Sequence, residues 1–244
     1  VNAQAGERSY GRAANELRPT TIEVDFVAPA TGSALIAVGQ TKVICTASVE
    51  LGVPRWLAGS GRGWLTAEYG MLPASTGQRK ARDATRGRLD GRTVEIQRLI
   101  GRSLRAVVDF EALGERTVYL DCDVLQADGG TRCASITGAY VAFARAAARL
   151  LTAGELERTP LSGAVAAVSC GMVDGVALLD LDYGEDSTAE VDANVVMTAD
   201  GGLVEVQATA ERTPLSRTHL DELLQIAAGG IAVLREEQLA AIDR

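Results

Sequence analysis

The stretch RTVYLDCDVLQADGGTRCASITGAYVAFARAAARLL, residues 116–151, decides the architecture. Arg116 to Gln126 alternates or runs apolar and reads as a strand. Thr131 to Leu151 reads as a helix whose apolar face carries Ile136, Tyr140, Phe143, Ala147 and Leu150, with Gly154 as its stop. Between them Asp128-Gly129-Gly130-Thr131-Arg132 takes the chain directly from strand to helix through two glycines.

Working outward from that unit, strands are expected at Thr21–Phe26, Ala34–Val38, Thr41–Leu51 and Trp64–Met71, with Gly39-Gln40 as a tight hairpin turn. Gly52 to Gly63 is a loop carrying Arg55 and Arg62, and Pro73 to Asp90 is a long polar loop. The spacing of Ile96, Leu99, Ile100, Leu104 and Val107 predicts an amphipathic helix over Arg92–Asp109, with Arg98, Arg102 and Arg105 on its outer face. Strands follow at Gly163–Val173, Val176–Leu181, Ala189–Thr198 and Leu203–Thr209, turned by Asp174-Gly175 and Asp200-Gly201-Gly202. A helix from Ser216 to Ile242 closes the chain, weakened at Gly229-Gly230. Strand-rich and helical blocks in this order give α+β layers, not a doubly wound parallel sheet. No low-complexity linker interrupts them, so a single domain over 1–244 is expected, with halves of about 11–158 and 159–244.

Charge is strongly segregated. The chain has a formal net charge of −8, yet nine of its 24 basic residues lie between Arg79 and Arg105, opposed there only by Asp83, Asp90 and Glu95. A localised polyanion surface follows, because phosphate binding depends on the local patch and not on net charge. No apolar run approaches the roughly 18 residues of a membrane helix, and the start lacks a signal-like apolar stretch, so a cytoplasmic protein is expected. Cys45, Cys122, Cys133 and Cys170 are far apart and form no CxxC pair, which points to reduced, packed thiols. His219 is the only histidine and stands in a polar stretch without a nucleophile motif.

Two segments can carry chemistry. The glycine-rich start at Gly130, Thr131 and Arg132 offers helix N–H groups and a guanidinium suited to a phosphate; equally, Asp128 or Thr131 could cap an ordinary helix. Asp180, Asp182, Glu185, Asp186, Glu190 and Asp192 bring six carboxylates into 13 residues, with Glu190, Asp192 and Asn194 on one strand face. Such a group either holds Mg²⁺ (or Mn²⁺) or forms a solvated acidic edge. An anion site, a divalent-metal site and a polyanion surface together suit phosphoryl or nucleotidyl transfer on a nucleic acid. A GxxxxGK[ST] loop is absent, which argues against a P-loop ATPase.

Gly63 to Pro73, Gly91 to Arg105 and Asp121 to Arg132 strongly resemble the bacterial RNase PH family, as do Asn15 to Pro19, Gly52 to Trp56 and Glu185-Asp186-Ser187. The likeness runs from about Gly11 to Gln238. It implies two-layer α+β subunits with ribosomal-protein-like βαβ halves, assembled as a homohexamer (a trimer of dimers). It also implies a phosphate-dependent 3′→5′ exoribonuclease, formally a nucleotidyltransferase, which trims tRNA precursors beyond the CCA end, acts on other RNA 3′ ends and releases nucleoside diphosphates. By the same resemblance Arg92, Gly130, Thr131 and Arg132 bind inorganic phosphate, the co-substrate, and Asp186 and Asp192 hold the metal or assist the leaving oxygen. Arg79, Arg82, Arg86 and Arg88 are the expected RNA contacts. The chain departs from the family pattern at Tyr10, Ala74, Gly77, Ala193 and Ala208. A noncatalytic RNA-binding ring subunit of the same fold is the alternative, and a small-molecule phosphotransferase of related fold a weaker one.

Overall fold

The computed structural model of the chain describes residues 8–82, 85, 87–88, 90–211 and 214–244. Strands β1 (Thr20–Val24), β2 (Gly32–Val38), β3 (Thr41–Leu51) and β4 (Trp64–Met71) are followed by helices α1 (Gly91–Arg105) and α2 (Phe110–Leu113), then by β5 (Arg116–Gln126) and α3 (Thr131–Thr152). The second half runs β6 (Val165–Val173), β7 (Val176–Leu179), the short α4 (Tyr183–Asp186), β8 (Val191–Thr198), β9 (Leu203–Ala210) and α5 (Arg217–Ile242). The fold is α+β of the expected kind, built on a five-stranded sheet ordered β1-β2-β3-β5-β4 and a four-stranded sheet ordered β7-β6-β8-β9.

Only β4 and β5 pair in parallel, since α1 and α2 carry the chain back between them. The other pairings are antiparallel; short connections set β1–β2, β2–β3, β6–β7 and β8–β9, whereas β3–β5 and β6–β8 pair across intervening elements. Val38 pairs with Thr41 across Gly39-Gln40, and Val173 with Val176 across Asp174-Gly175, whose φ values of +49° and +73° are those of a type I′ turn.

Helix α3 differs from the amphipathic reading. Its residues are buried nearly all round, because it packs on β2 and β3 on one side and on β6 on the other. That position explains its alanine- and glycine-rich composition, for only small side chains let two sheets approach one helix. Strand β6 is buried on both faces: Val165 and Ala167 face the core around α3, while Ala166, Val168, Cys170 and Met172 join the core under α5. All four cysteines are free and buried, as their sequence context implied. Helix α5 runs unbroken through Gly229-Gly230, where Gly230 packs against Leu179. Helix α3 ends as expected, with Gly154 (φ +73°) donating to the Leu151 carbonyl and Glu155 to that of Leu150.

The first helix is shorter than its periodicity suggested. It stops at Arg105, and Asp109 instead caps α2 by accepting 3.0 Å hydrogen bonds from the Glu111 and Ala112 N–H groups. Among the described residues no helix is long and apolar enough to cross a membrane.

Strand β2 meets α3 backbone to backbone at Gly32, where an added Cβ would lie 2.2 Å from the Ala142 carbonyl oxygen and 2.5 Å from the Ala146 nitrogen. Neither backbone can yield without shifting a core element. Gly32→Ala is therefore expected to lower the unfolding free energy by roughly 1–3 kcal/mol. Gly163→Ala, whose Cβ would rest 3.6 Å from Val107, serves as the control and should be neutral or stabilising. Urea denaturation of both variants checks this, and equal midpoints would contradict the close approach.

Candidate active site

The helix start at α3 is not capped by a side chain. Its N-cap is Gly130 itself, in the left-handed region at φ +66°, so the reading of Asp128 or Thr131 as an ordinary cap does not hold. The first N–H groups of a 22-residue helix are thus left without a capping side chain. Thr131 is buried and shares a 3.0 Å hydrogen bond with the Tyr69 hydroxyl at the far end of β4. Gly129 (φ +75°) is pressed against the second half, where a Cβ would sit 2.5 Å from the Leu181 carbonyl oxygen. Thr41 fastens the loop from the other side, donating to the Gly129 carbonyl at 2.7 Å and accepting from the Asp128 N–H at 2.9 Å.

Beneath the loop lies Arg18, fully buried. Its guanidinium forms a bidentate pair with Asp180 (Nε–Oδ2 3.0 Å, Nη2–Oδ1 2.6 Å) and donates to the Asp128 carbonyl. Burial works against the charge on Arg18, but Asp180, backed by Asp128 and Asp182, more than offsets it and raises the guanidinium pKa. Arg12 and Arg8 extend the network, donating to Glu185 at 3.2 and 2.6 Å.

These contacts sort the six carboxylates. Asp180 belongs to Arg18. Asp182 and Glu185 form a capping box on α4, and Glu185 also takes the two N-terminal arginines. Asp186 and Asp192 make no ion pair among the described residues. Glu190 precedes β8, and Asn194 accepts from the Cys133 thiol at 3.3 Å. Loss of water raises the carboxyl pKa of Asp186, although Arg92, Arg132 and Arg18 pull it down. Asp192 is raised by loss of water and by the charge of Asp186, against the same pull from Arg132 and Arg92. Both aspartates therefore feel the charges of Arg92 and Arg132.

Arg132 is directed by two neighbours, donating to Gln207 on β9 at 2.8 Å and to Glu95 on α1 at 3.2 Å. Glu95 therefore pairs across the fold with Arg132. Arg102 pairs with Glu205 at 2.7 Å, and Arg105 donates to the Leu65 carbonyl while lying 5.2 Å over the Trp64 ring. Of the outer arginines of α1, Arg102 thus reaches the second half and Arg105 packs within the first.

An open cleft of about 660 Å³ joins these elements, lined by Met71, Arg92, Gly130, Thr131, Tyr183 and Asp186 among others. A second hollow of about 230 Å³ adjoins it at Arg92 and includes Lys80 and Arg82. Arg79, Arg82 and Arg88 are exposed; Arg86 lies outside the described residues. No cluster of three or more His, Cys, Asp or Glu side chains able to hold a metal occurs among the described residues. Two uncompensated carboxylates nevertheless fit Mg²⁺, which commonly binds through one or two carboxylates, substrate phosphates and water.

Residues 16–148 match the model of the 3′ exoribonuclease family, domain 1, and residues 163–230 match that of domain 2. The chain belongs to this family. Its fold is similar to rice (Oryza sativa) Rrp46, at 19% identity and a TM-score of 0.78 over 97% of this chain and 100% of that one. It is also similar to a chain of the Archaeoglobus fulgidus exosome with RNA bound to the active site, at 24% identity and a TM-score of 0.80 over 95% and 92% of the two chains. An archaeal exosome core chain matches at 23% identity and a TM-score of 0.75 over 96% and 91%. The resemblance to RNase PH thus holds at the level of the family, and the solved structures named are exosome chains and not bacterial RNase PH.

The sequence alone did not single out Arg18, Tyr69, Gln207 or Tyr183. Arg18 beside Pro19 stood within a motif without an assigned role, and the other three become site residues only through pairing and chain reversal.

The two raised carboxyls have a measurable cost. A folded-state pKa above the usual value means that the native protein holds its proton to higher pH than the unfolded chain. Stability then falls as pH rises from the ordinary 3.8 through the raised value, and the full penalty persists above it. In metal-free buffer at pH 7, Asp192→Asn is expected to raise Tm, with the gain vanishing as pH approaches the unperturbed carboxyl value. Scanning calorimetry from pH 4 to 8 checks the sign; a lower Tm for the variant at pH 7 would contradict it.

Proposed function

We propose that this protein is a phosphorolytic 3′→5′ exoribonuclease of the bacterial RNase PH kind, which removes nucleotides beyond the CCA end of tRNA precursors. One observation carries the reading: Arg92, Asp186 and the uncapped start of α3 line one cleft, and the charges of Arg92 and Arg132 act on both Asp186 and Asp192. A purely RNA-binding ring subunit has no use for that set.

Inorganic phosphate would lie against the Gly130–Arg132 backbone and between Arg92 and Arg132, whose charges screen the repulsion between the incoming anion and the RNA diester. Arg132 is held by Gln207 and Glu95, so its direction is fixed before phosphate arrives. A phosphate oxygen forms a bond to the terminal phosphorus while the bond from that phosphorus to the preceding 3′ oxygen breaks. The products are a nucleoside diphosphate and an RNA one residue shorter, whose 3′ oxygen takes up a proton. Asp186 and Asp192 would hold Mg²⁺, which supplies charge stabilisation at the departing oxygen. Phosphate is itself a competent nucleophile at neutral pH, so no histidine base is needed. His219 is exposed on α5 and takes no part in this scheme. Arg79, Arg82 and Arg88 extend the cationic surface away from the cleft toward upstream RNA phosphates, and the homohexameric ring implied by the resemblance would bring such loops next to neighbouring clefts.

With a 3′-extended tRNA, release of nucleoside diphosphates is expected to require both phosphate and Mg²⁺, read by chromatography of the products. Monophosphate release without phosphate would make the protein a hydrolase; absence of turnover with retained RNA binding would favour the noncatalytic ring subunit. Arg132→Ala should abolish phosphorolysis and leave RNA binding largely intact. Arg82→Ala should instead weaken RNA binding and flatten its salt dependence by about one unit of log–log slope. An unchanged slope would place the RNA elsewhere.

A further inference from the structure

We infer that Tyr183 is the stacking platform for the terminal nucleobase of a bound RNA, the one contact in the cleft made to a base and not to a phosphate. This rests on the phosphate-site reading for its location, though its test does not.

Tyr183 opens α4 and is 67% exposed, unusual for a ring that lines a cavity together with Met71, Gly130, Thr131, Arg92 and Asp186. The backbone that carries it is fixed: the Tyr183 N–H donates to the Asp128 carboxylate at 3.3 Å, and Gly129 packs so closely that a Cβ there would lie 3.0 Å from the Tyr183 nitrogen. An exposed aromatic ring on an immobilised backbone costs little entropy when a flat ligand settles on it. The ring has no hydrogen-bond or aromatic partner among the described residues, so its packing surface is unused. Asp186 stands one helical turn further along α4, which puts the aromatic surface and the catalytic carboxylate on the same short element.

The rest of the cleft supplies what a nucleotide's sugar and phosphates need, with Thr76 and Gln78 as the side chains that could also meet a base edge. Of its lining side chains, Arg92 and Lys80 are cationic and suit phosphate, while Met71 offers an apolar surface. A volume of about 660 Å³ is within the range of small-ligand sites and leaves room for a base beside the phosphate region. Stacking is also the appropriate kind of contact for an enzyme that degrades stepwise. Each cycle presents a different base, and every base has a π-face, so a ring accepts all four where a hydrogen-bonding site would reject most. Trp56 is equally exposed, at 68%, but it leans on Trp64 at the opposite end of β4 from Met71; Tyr10, Phe26 and Tyr119 are less exposed, and none of these four rings lines the cleft.

The test is equilibrium binding without phosphate, so that no turnover is required. A short fluorescent single-stranded RNA is compared with the same RNA carrying an abasic 3′-terminal sugar, for wild type, Tyr183→Phe and Tyr183→Ala. Wild type should prefer the intact 3′ end by about 5- to 100-fold, the range that one base–aromatic stack spans. Tyr183→Phe should keep that preference, and Tyr183→Ala should lose it without further weakening toward the abasic RNA. A wild type indifferent to the terminal base would overturn the inference, as would a Tyr183→Ala variant that still discriminates. Light scattering on the same samples checks that the variants assemble alike; a changed assembly with the preference intact would assign the ring to subunit contact and likewise overturn it. Failure of phosphorolysis in the assay above leaves this result standing, so the two readings fail separately.

Discussion

The buried pair of Arg18 and Asp180 is the contact on which the site depends. One guanidinium satisfies a carboxylate from the second half and the carbonyl of Asp128 from the first, so the glycine loop and the acidic segment share a single anchor. Removing either partner would leave a charge in the interior without compensation, which is far more costly than never having placed a pair there. Gly129 reinforces the join sterically, since its hydrogen occupies the space in which any side chain would drive Leu181 away. The same few atoms thus fix the phosphate-side loop and the carboxylate-side helix relative to each other. Arg12 and Arg8, through Glu185, stiffen the segment immediately before Asp186.

That arrangement explains how like charges are tolerated. Three of the six carboxylates, Asp180, Asp182 and Glu185, are neutralised by arginines from the chain's start; Asp186 lines the cleft, and its charge acts on Asp192. Of the cations whose charge reaches both, Arg132 is only partly compensated by Glu95, and Arg92 is exposed at the start of α1. Charges that would be mutually satisfied in a purely structural cluster are held apart here, with loss of water raising the pKa of both aspartates. Sites kept under such electrostatic tension are where bound anions and cations gain most, because the ligand completes interactions that the folded chain cannot make alone.

Much of this was legible in the sequence. Turn chemistry at Gly39-Gln40 and Asp174-Gly175 fixed two hairpins, β-branched runs marked the strands, and the two-glycine helix start marked the loop that lines the cleft. What escaped was long-range. The environment of α3 could not be read from its periodicity, because burial between two sheets replaces an apolar stripe with small residues all round. Asp109 looked like a helical residue by position, yet its side chain competes for backbone donors and starts a new turn. The acidic run showed no local partner for its charges because the partners lie more than 160 residues away at Arg8, Arg12 and Arg18. Spacing could state that six carboxylates were close; only the fold could state which two were unspent.

The basic stretch from Arg79 to Arg105 is accordingly not one surface but a graded one. Its helical end is tied inward, with Arg105 on Trp64 within the first half and Arg102 joined to Glu205 of the second. Arg92 stands at the boundary between helix and cleft, where its charge reaches both aspartates. The loop side, at Arg79, Arg82 and Arg88, leaves guanidinium groups in water, as does Arg98 on the outer face of α1. An acidic protein can therefore keep a short cationic path next to an anion-binding helix start while the remaining surface repels polyanions. Such a field admits the end of a strand more readily than its middle, because an end can thread to the cleft while its upstream phosphates stay on the cationic loop. Access to the cleft then depends on where charge is withheld as much as on where it is placed.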